Sequence, residues 1–306
     1  MPSRVTNYTE DKFHRLVEFY ERAREGGSGL SDREVRFLRK KLTRPRYDPG
    51  KNLFLVWDEN KILALLDVVA EPRIKRIILN SVVLPGLSYR NMMTELMGPA
   101  MARCLELKGE RIHVCLRDDD HIGHDFFIAE GYSRVRTYLD LETDLLRKDG
   151  SSFKFEDIGT ASFSEGEESK LTSFQNGIFS GSWGFCPNTV DEIQYYLALT
   201  GTRLEDVILL KEEAGVVGYC WAHESLSSLD TSKIARIHMI GVKREFQGRG
   251  FGKKLLHLSF HVLRSQGFRK VELTVDSNNK SACAMYAALG FKLRSSSFWF
   301  EKKLQK

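Results

Sequence analysis

Apolar and polar positions in the second half of the chain alternate between a two-residue and a helical period. Residues 153–158 (FKFEDI) carry a strand pattern, and helical stretches follow at 167–179 and 189–200. The runs 206–211 and 215–222, joined by Glu212-Glu213-Ala214, predict a strand pair. A further strand at 234–242 (IARIHMIGV) leads into a glycine-rich segment. Over 251–266, Leu255, Leu256, Leu258, Phe260, Val262 and Leu263 keep helical spacing up to Gly267. A strand at 271–275, a helix over 279–289 closed by Gly290 and a last strand near 296–302 complete the unit. This order predicts an α/β unit, a mixed twisted sheet flanked by helices.

The first half repeats the order. Helices are expected at 10–24 and 31–41, and strands at 53–57, 61–70 and 74–83. A helix at 90–107, a strand at 111–116, a helix ending at Gly131 and a strand at 134–141 follow. An offset of 159 residues relates Val83 to Val242, Arg111-Ile112 to Lys270-Val271, and Gly131-Tyr132 to Gly290-Phe291. Two diverged copies of one fold account for this, as tandem domains at 1–145 and 151–306 joined near 143–152.

Composition narrows the picture. The 306 residues suit two domains, and 42% hydrophobic with 28% charged residues is a globular balance. No apolar run approaches the ~18 residues a membrane span needs, and no apolar stretch follows Met1-Pro2-Ser3-Arg4. The expectation is therefore a cytoplasmic protein without a membrane partner. Cys104, Cys115, Cys186, Cys220 and Cys283 are odd in number and never spaced CxxC. That argues against disulfides and metal sites and for inert, buried thiols. The net charge of +5 is mild. Its densest basic stretch, Arg33 to Arg46, contains only Phe37 and Tyr47 as aromatic residues, so a solvated helix face is expected rather than a nucleic-acid surface.

The chemistry concentrates at Gln247-Gly248-Arg249-Gly250-Phe251-Gly252, after a strand and opening a helix. A polyanion on a helix N-terminus needs free N–H groups and close main-chain approach, and glycine permits both. Glycines also mark ordinary strand-to-helix turns. The Walker pattern GxxxxGK[ST] is absent, and the GxGxG spacing and late position do not suit a dinucleotide fold.

The segment Ile240–Gly252 resembles the acetyl-CoA signature of the GNAT superfamily, whose core is [RQ]xxGx[GA]. The run Asn279-Lys280-Ser281-Ala282-Cys283-Ala284-Met285-Tyr286-Ala287-Ala288-Leu289-Gly290-Phe291 is similar to that family's NxxAxxxYxxxGF helix. The likeness covers about 153–303. Trp183-Gly184-Phe185 is similar to the tandem branch that includes mycothiol synthase. The resemblance implies that Ile240, Gly241 and Val242 pair with the pantetheine arm of acetyl-CoA. It assigns the pyrophosphate to amides of Gln247, Gly248, Arg249, Gly250, Phe251 and Gly252, and a contact with the arm to Asn279. Tyr286 would protonate the departing thiolate; on the residues alone, a core aromatic on an amphipathic helix fits better. Many members carry a glutamate where Arg236 stands, and an arginine cannot act as base. His238, on the same side of the strand, matches the histidine base of the arylalkylamine branch, with His223 and Glu224 in reserve. A structural histidine, a water base or an already neutral amine are the alternatives.

The implied reaction is direct acetyl transfer to a primary amine, of a small molecule in the first reading and of a peptide or protein in the second. A CoA-binding sensor or scaffold without turnover is the reading from another class. The same offset maps Gln247 to Ser88, Gly248 to Tyr89, Gly250 to Asn91, Gly252 to Met93, Asn279 to Asp120 and Tyr286 to Phe127. The N-terminal copy is therefore expected to be degenerate, binding no CoA and completing an acceptor cleft. Calorimetric titration should find one CoA equivalent per chain; two would show that the first copy also binds.

Overall fold

The computed structural model describes residues 4–24, 29–145, 159–213, 215–225 and 233–304. The strand expected at 153–158 and most of the expected join lie outside them, as does Ala214 of the expected turn. The chain forms two compact units, Met1–Arg136 with Ser297–Lys306, and Thr137–Ser296.

Unit 1 opens with β1 (Arg4–Asn7), α1 (Phe13–Ala23), α2 (Asp32–Leu42) and the short α3 (Pro49–Asn52). It continues through β2 (Leu53–Asp58), β3 (Lys61–Glu71), β4 (Arg76–Val83), α4 (Tyr89–Glu106), β5 (Arg111–Arg117), α5 (His121–Ala129) and the start of β6 (Ser133–Asp144). The helix expected over 10–24 is shorter, because Glu10–Lys12 form a 3-10 turn ahead of α1. Strands β1 to β5 pair in sequence order, antiparallel except for the parallel β4–β5 pair. Helices α1 and α2 bury Phe13, Leu16, Phe19, Leu38 and Leu42 on one face; α4 and α5 bury Met93, Leu96, Phe126 and Phe127 on the other.

Unit 2 repeats this with β7 (Gly159–Ala161), α6 (Glu168–Phe179), α7 (Val190–Thr200), β8 (Ile208–Glu212), β9 (Gly215–Glu224) and β10 (Ile234–Val242). Then come α8 (Phe251–Ser265), β11 (Lys270–Asp276), α9 (Lys280–Ala288) and β12 (Lys292–Lys303). Its strands pair in the order β7-β8-β9-β10-β11, again with one parallel pair, β10–β11. Local chemistry sets the helix ends. Thr189 and Glu192 form a capping box at the start of α7, and Gly201 stops that helix at φ 69°. The apolar stripe of α8 buries Leu255, Leu256, Phe260 and Leu263.

The units depart from the sequence copies at two strands. β6 and β12 are each 12 residues long, about twice the usual strand, and each leaves its own copy partway. Residues 138–144 of β6 pair antiparallel with β11 inside unit 2, and residues 297–303 of β12 pair antiparallel with β5 inside unit 1. The exchanged pieces are core pieces. Leu141 is buried among the α8 and α9 residues, and Phe300, 2% exposed, among those of α4 and α5. His113 Nε2 sits 2.9 Å from Glu301 Oε2, tying the exchanged end of β12 to β5.

Among the described residues no helix is long and apolar enough to cross a membrane, and no group of three or more metal-ligating side chains exists. Because Phe300 fills the unit 1 core from a distant part of the chain, Phe300→Ala should destabilise the protein by about 3–5 kcal/mol in urea unfolding. A loss below about 1 kcal/mol would mean that the exchanged strand adds little.

Candidate functional site

The site begins where two strands part. β10 pairs with β9 along its whole length, from Ala235↔Glu224 to Val242↔Gly218. Its parallel pairing with β11 covers only Ile234↔Lys270, Ala235↔Val271 and Arg236↔Glu272. Beyond Arg236, β11 pairs with β6 alone on its described side, so the β11-facing main chain of Ile237–Val242 has lost its ladder partner. A bulge between Ile237 and Met239, at His238, marks the point of parting. The expected pantetheine residues Ile240, Gly241 and Val242 line this free edge and are partly exposed. Gly241 is required here: a Cβ would lie 2.5 Å from Ile178 Cγ2 of α6.

The edge leads directly into the glycine turn. Arg244–Phe246 form a 3-10 turn, and Gln247 Nε2 donates to Val242 O at 3.0 Å, closing the bend. Gly248 and Gly250 have φ of 74° and 83°, which residues with side chains rarely adopt, and a Cβ on either would meet nothing within 4 Å. The space beside them is therefore open. Gly250 is the N-cap of α8 and no side chain caps the helix. The amide of Lys254 is the first to pair back, to Gly250 O at 3.1 Å; those ahead of it in the first turn have no intrahelical acceptor. Residues 247–250 are exposed, and Arg249 stacks over Phe246 and Phe251 at 5.5 and 5.3 Å. The Phe251 side chain is buried, so only its main chain can serve a ligand. Gly252 has a packing reason instead, as a Cβ there would come 2.9 Å from Met285 Sδ of α9.

The first copy lacks this arrangement. Helix α4 starts at Tyr89, the position matching Gly248, so helix replaces the turn. Ser88 caps it, its hydroxyl accepting from Asn91 N at 3.3 Å, which occupies an amide an anion would use. Strand β4 pairs with β3 without a bulge. Phe127, matching Tyr286, is fully buried against Phe126 and Tyr132. One role is common to both copies: Asn279 Oδ1 accepts from Ala282 N at 3.1 Å, and Asp120 accepts from Gly123 N at 2.9 Å. Asn279 is thus a helix cap whose amide nitrogen is left over.

Tyr286 and His238 belong to different sides of β10. Tyr286 is 5% exposed, packed among the α8 and α9 residues with Phe291 at 5.4 Å. Burial, then the neighbouring Cys220 and Cys283, push its pKa up, so the phenol keeps its proton. His238 sits in an aromatic cage on the α7 side, with Trp221 at 4.8 Å, Tyr196 at 5.8 Å and His223 at 5.9 Å. Burial, with His223 and Arg236 adding to it, pushes its pKa down to about 3.

Sequence reasoning missed the cage and a buried carboxylate. Glu272 on β11, 2% exposed, receives Arg236 at 3.0 Å, Arg294 at 2.7 Å and the Ser225 hydroxyl at 2.7 Å. Burial alone would raise its pKa; the Ser225 and Arg236 hydrogen bonds and both arginine charges outweigh that and hold it below the usual range. Arg236 also donates to Thr274 Oγ1 at 2.8 Å. Only the alternation of Trp221 with His223 and of Glu272 with Thr274 could have signalled these groups. Among the cysteines, Cys104 and Cys220 are buried with thiols pushed up to about 12 by burial. Cys115 is exposed rather than buried, because it lies on a solvent-facing position of β5.

Residues 169–291 match the model of the Acetyltransferase (GNAT) family. A mycothiol acetyltransferase of Corynebacterium glutamicum (strain R) is 33% identical over 97 residues, which is 32% of this chain and 32% of that protein. The chain thus aligns with less than half of that relative's length. A GCN5-related N-acetyltransferase from Sphaerobacter thermophilus shares the fold with TM-score 0.75 at 18% identity, covering 99% of this chain and 96% of that one. A tandem GNAT protein from the clavulanic acid biosynthesis pathway does so with TM-score 0.72 at 14% identity, covering 100% and 99%.

Desolvation by the aromatic neighbours of His238, together with His223 and Arg236, pushes its pKa down, so the ring, though partly exposed, stays neutral across the physiological range. Its ring resonances should hold their neutral shifts from pH 8 down to pH 5 in an NMR titration. A transition near pH 6.5, the ordinary histidine value, would contradict that shift.

Proposed function

Taking residues 169–291 as an acetyltransferase domain of the GNAT family, we propose that the chain transfers an acetyl group from acetyl-CoA to a primary amine. The observation that carries this reading is the uncapped start of α8 behind two left-handed glycines, set at the end of a strand whose edge is free. Acetyl-CoA, when bound, supplies an acyl group activated as a thioester.

The residues present suit that group. The main chain of Ile240, Gly241 and Val242 would take the pantetheine arm as a sheet edge takes a peptide. Amides from Gln247 through Gly252 would take the pyrophosphate, where the helix dipole favours negative charge. The Asn279 amide nitrogen would face the arm while its oxygen caps α9. Tyr286 Oη holds the proton that a departing thiolate needs, and burial keeps that proton in place. His238, neutral in its cage, accepts a hydrogen bond from the amine directly or through water; its low basicity suits orientation better than strong proton abstraction. Holding both reactants in line would supply much of the rate.

A small-molecule amine is the acceptor class we favour, in keeping with the mycothiol acetyltransferase relatives; a peptide or protein amine is the alternative. The N-terminal copy, whose helix start is capped by Ser88, would bind no CoA. The scattered cysteines favour a cytoplasmic setting. One observation favours a non-catalytic sensor instead: Arg236 occupies the usual base position and is locked to Glu272. Thiol release with an amine panel separates the two readings, since CoA binding without turnover on every amine would leave only the sensor. Tyr286→Phe should lower kcat by about 10²-fold or more with CoA affinity nearly unchanged; undiminished turnover would remove its role as acid.

A further inference from the structure

On the α6 side of the turn lies a cleft of about 670 Å³ that the acetyl-transfer reading leaves unused. Its size is that of a pocket for a small metabolite. Lys243 and Arg244, which follow β10, line one wall, and neither makes an ion pair among the described residues. Lys243 Nζ lies 5.2 Å from the centre of the Phe174 ring, so cation and aromatic surface share that wall. Ser169 and Ser173, one helical turn apart on α6, add hydroxyl donors, and Ile178 extends the apolar floor. Lys170, ion-paired to Glu167, is a third cation of the lining, and Glu245 is its one carboxylate.

Gly177 also lines the cleft. It lies inside α6, where glycine weakens a helix relative to alanine. Yet its φ is not in the left-handed region, and a Cβ there would meet nothing within 4 Å. Neither backbone conformation nor packing requires a glycine. A methyl group would fit there, whereas a side chain as long as leucine would intrude on the cleft.

We propose that this cleft binds a singly phosphorylated group carried on a ring or apolar body, the phosphoryl at Lys243 and Arg244 and the body on Phe174 and Ile178. Such a group has two sources, the 3′-phosphorylated nucleotide end of the acyl carrier or a separate phosphorylated metabolite. The first source rests on the acetyl-CoA reading; the second does not.

Calorimetry on the full chain with CoA, 3′-dephospho-CoA and glucosamine 6-phosphate tests the proposal. Lys243→Gln/Arg244→Gln, which removes both charge-assisted contacts, and separately Gly177→Leu, which fills the cleft, should each weaken a phosphorylated probe by about tenfold or more. Gly177→Ala should raise Tm and keep binding, which guards against mistaking misfolding for lost affinity. Weakening confined to CoA, with dephospho-CoA unaffected, supports the nucleotide end; weakening confined to the sugar phosphate supports a separate ligand. Unchanged affinities for all three probes in both variants would overturn the proposal. Failure of the unaltered chain to bind either CoA form would defeat the acetyl-CoA reading, while the sugar-phosphate titration would still decide the cleft.

Discussion

The parting of β10 from β11 after Arg236↔Glu272 governs the rest of unit 2. A strand with a neighbour on each side normally has both sets of its backbone groups satisfied. Here one set is released over the last residues of β10 while β9 holds the other. An unpaired edge next to a core is costly unless water or a ligand meets it. The bulge at His238 makes the divergence geometrically feasible, and Arg236 with Arg294 clamps the vertex from which it opens. The glycine turn then follows at once, so a strand edge and a helix start present their free amides in one continuous path.

The two copies act as an internal control on this reading. They share strand order, the parallel pair, a capped helix after the fifth strand and helices on both faces. Only the second has the bulge, the uncapped helix start and the tyrosine. In the first, Ser88 closes the helix start and Phe127 completes a hydrophobic cluster. Features shared by both copies are explained by folding; the uncapped helix start, confined to the second, is not. Asn279 falls in the first class through its cap and in the second through its remaining amide nitrogen.

Burial sets the protonation states at the opening. It keeps Tyr286 and Cys220 protonated and His238 neutral. The one buried carboxylate nearby, Glu272, is neutralised by two arginines rather than left as a base. None of these four described groups is a strong base or a ready nucleophile.

Local patterns were legible. The 2 and 3.6 periods located nearly every element, glycine chemistry located the helix start, and the constant offset exposed the repeat, because each depends on residues adjacent in sequence. What the amino-acid order alone determined was therefore the element sequence, the bare turn at 247–252, and the loss of that turn in the first copy. Only the tertiary structure decided that Arg236 spends its charge on Glu272, 36 residues away, and that Trp221 and Tyr196 enclose His238. It also decided that β6 and β12 finish the opposite units, against the copy boundaries. Those outcomes turn on which distant strands become neighbours, and strand register is set by packing across the whole sheet rather than by any local run of residues.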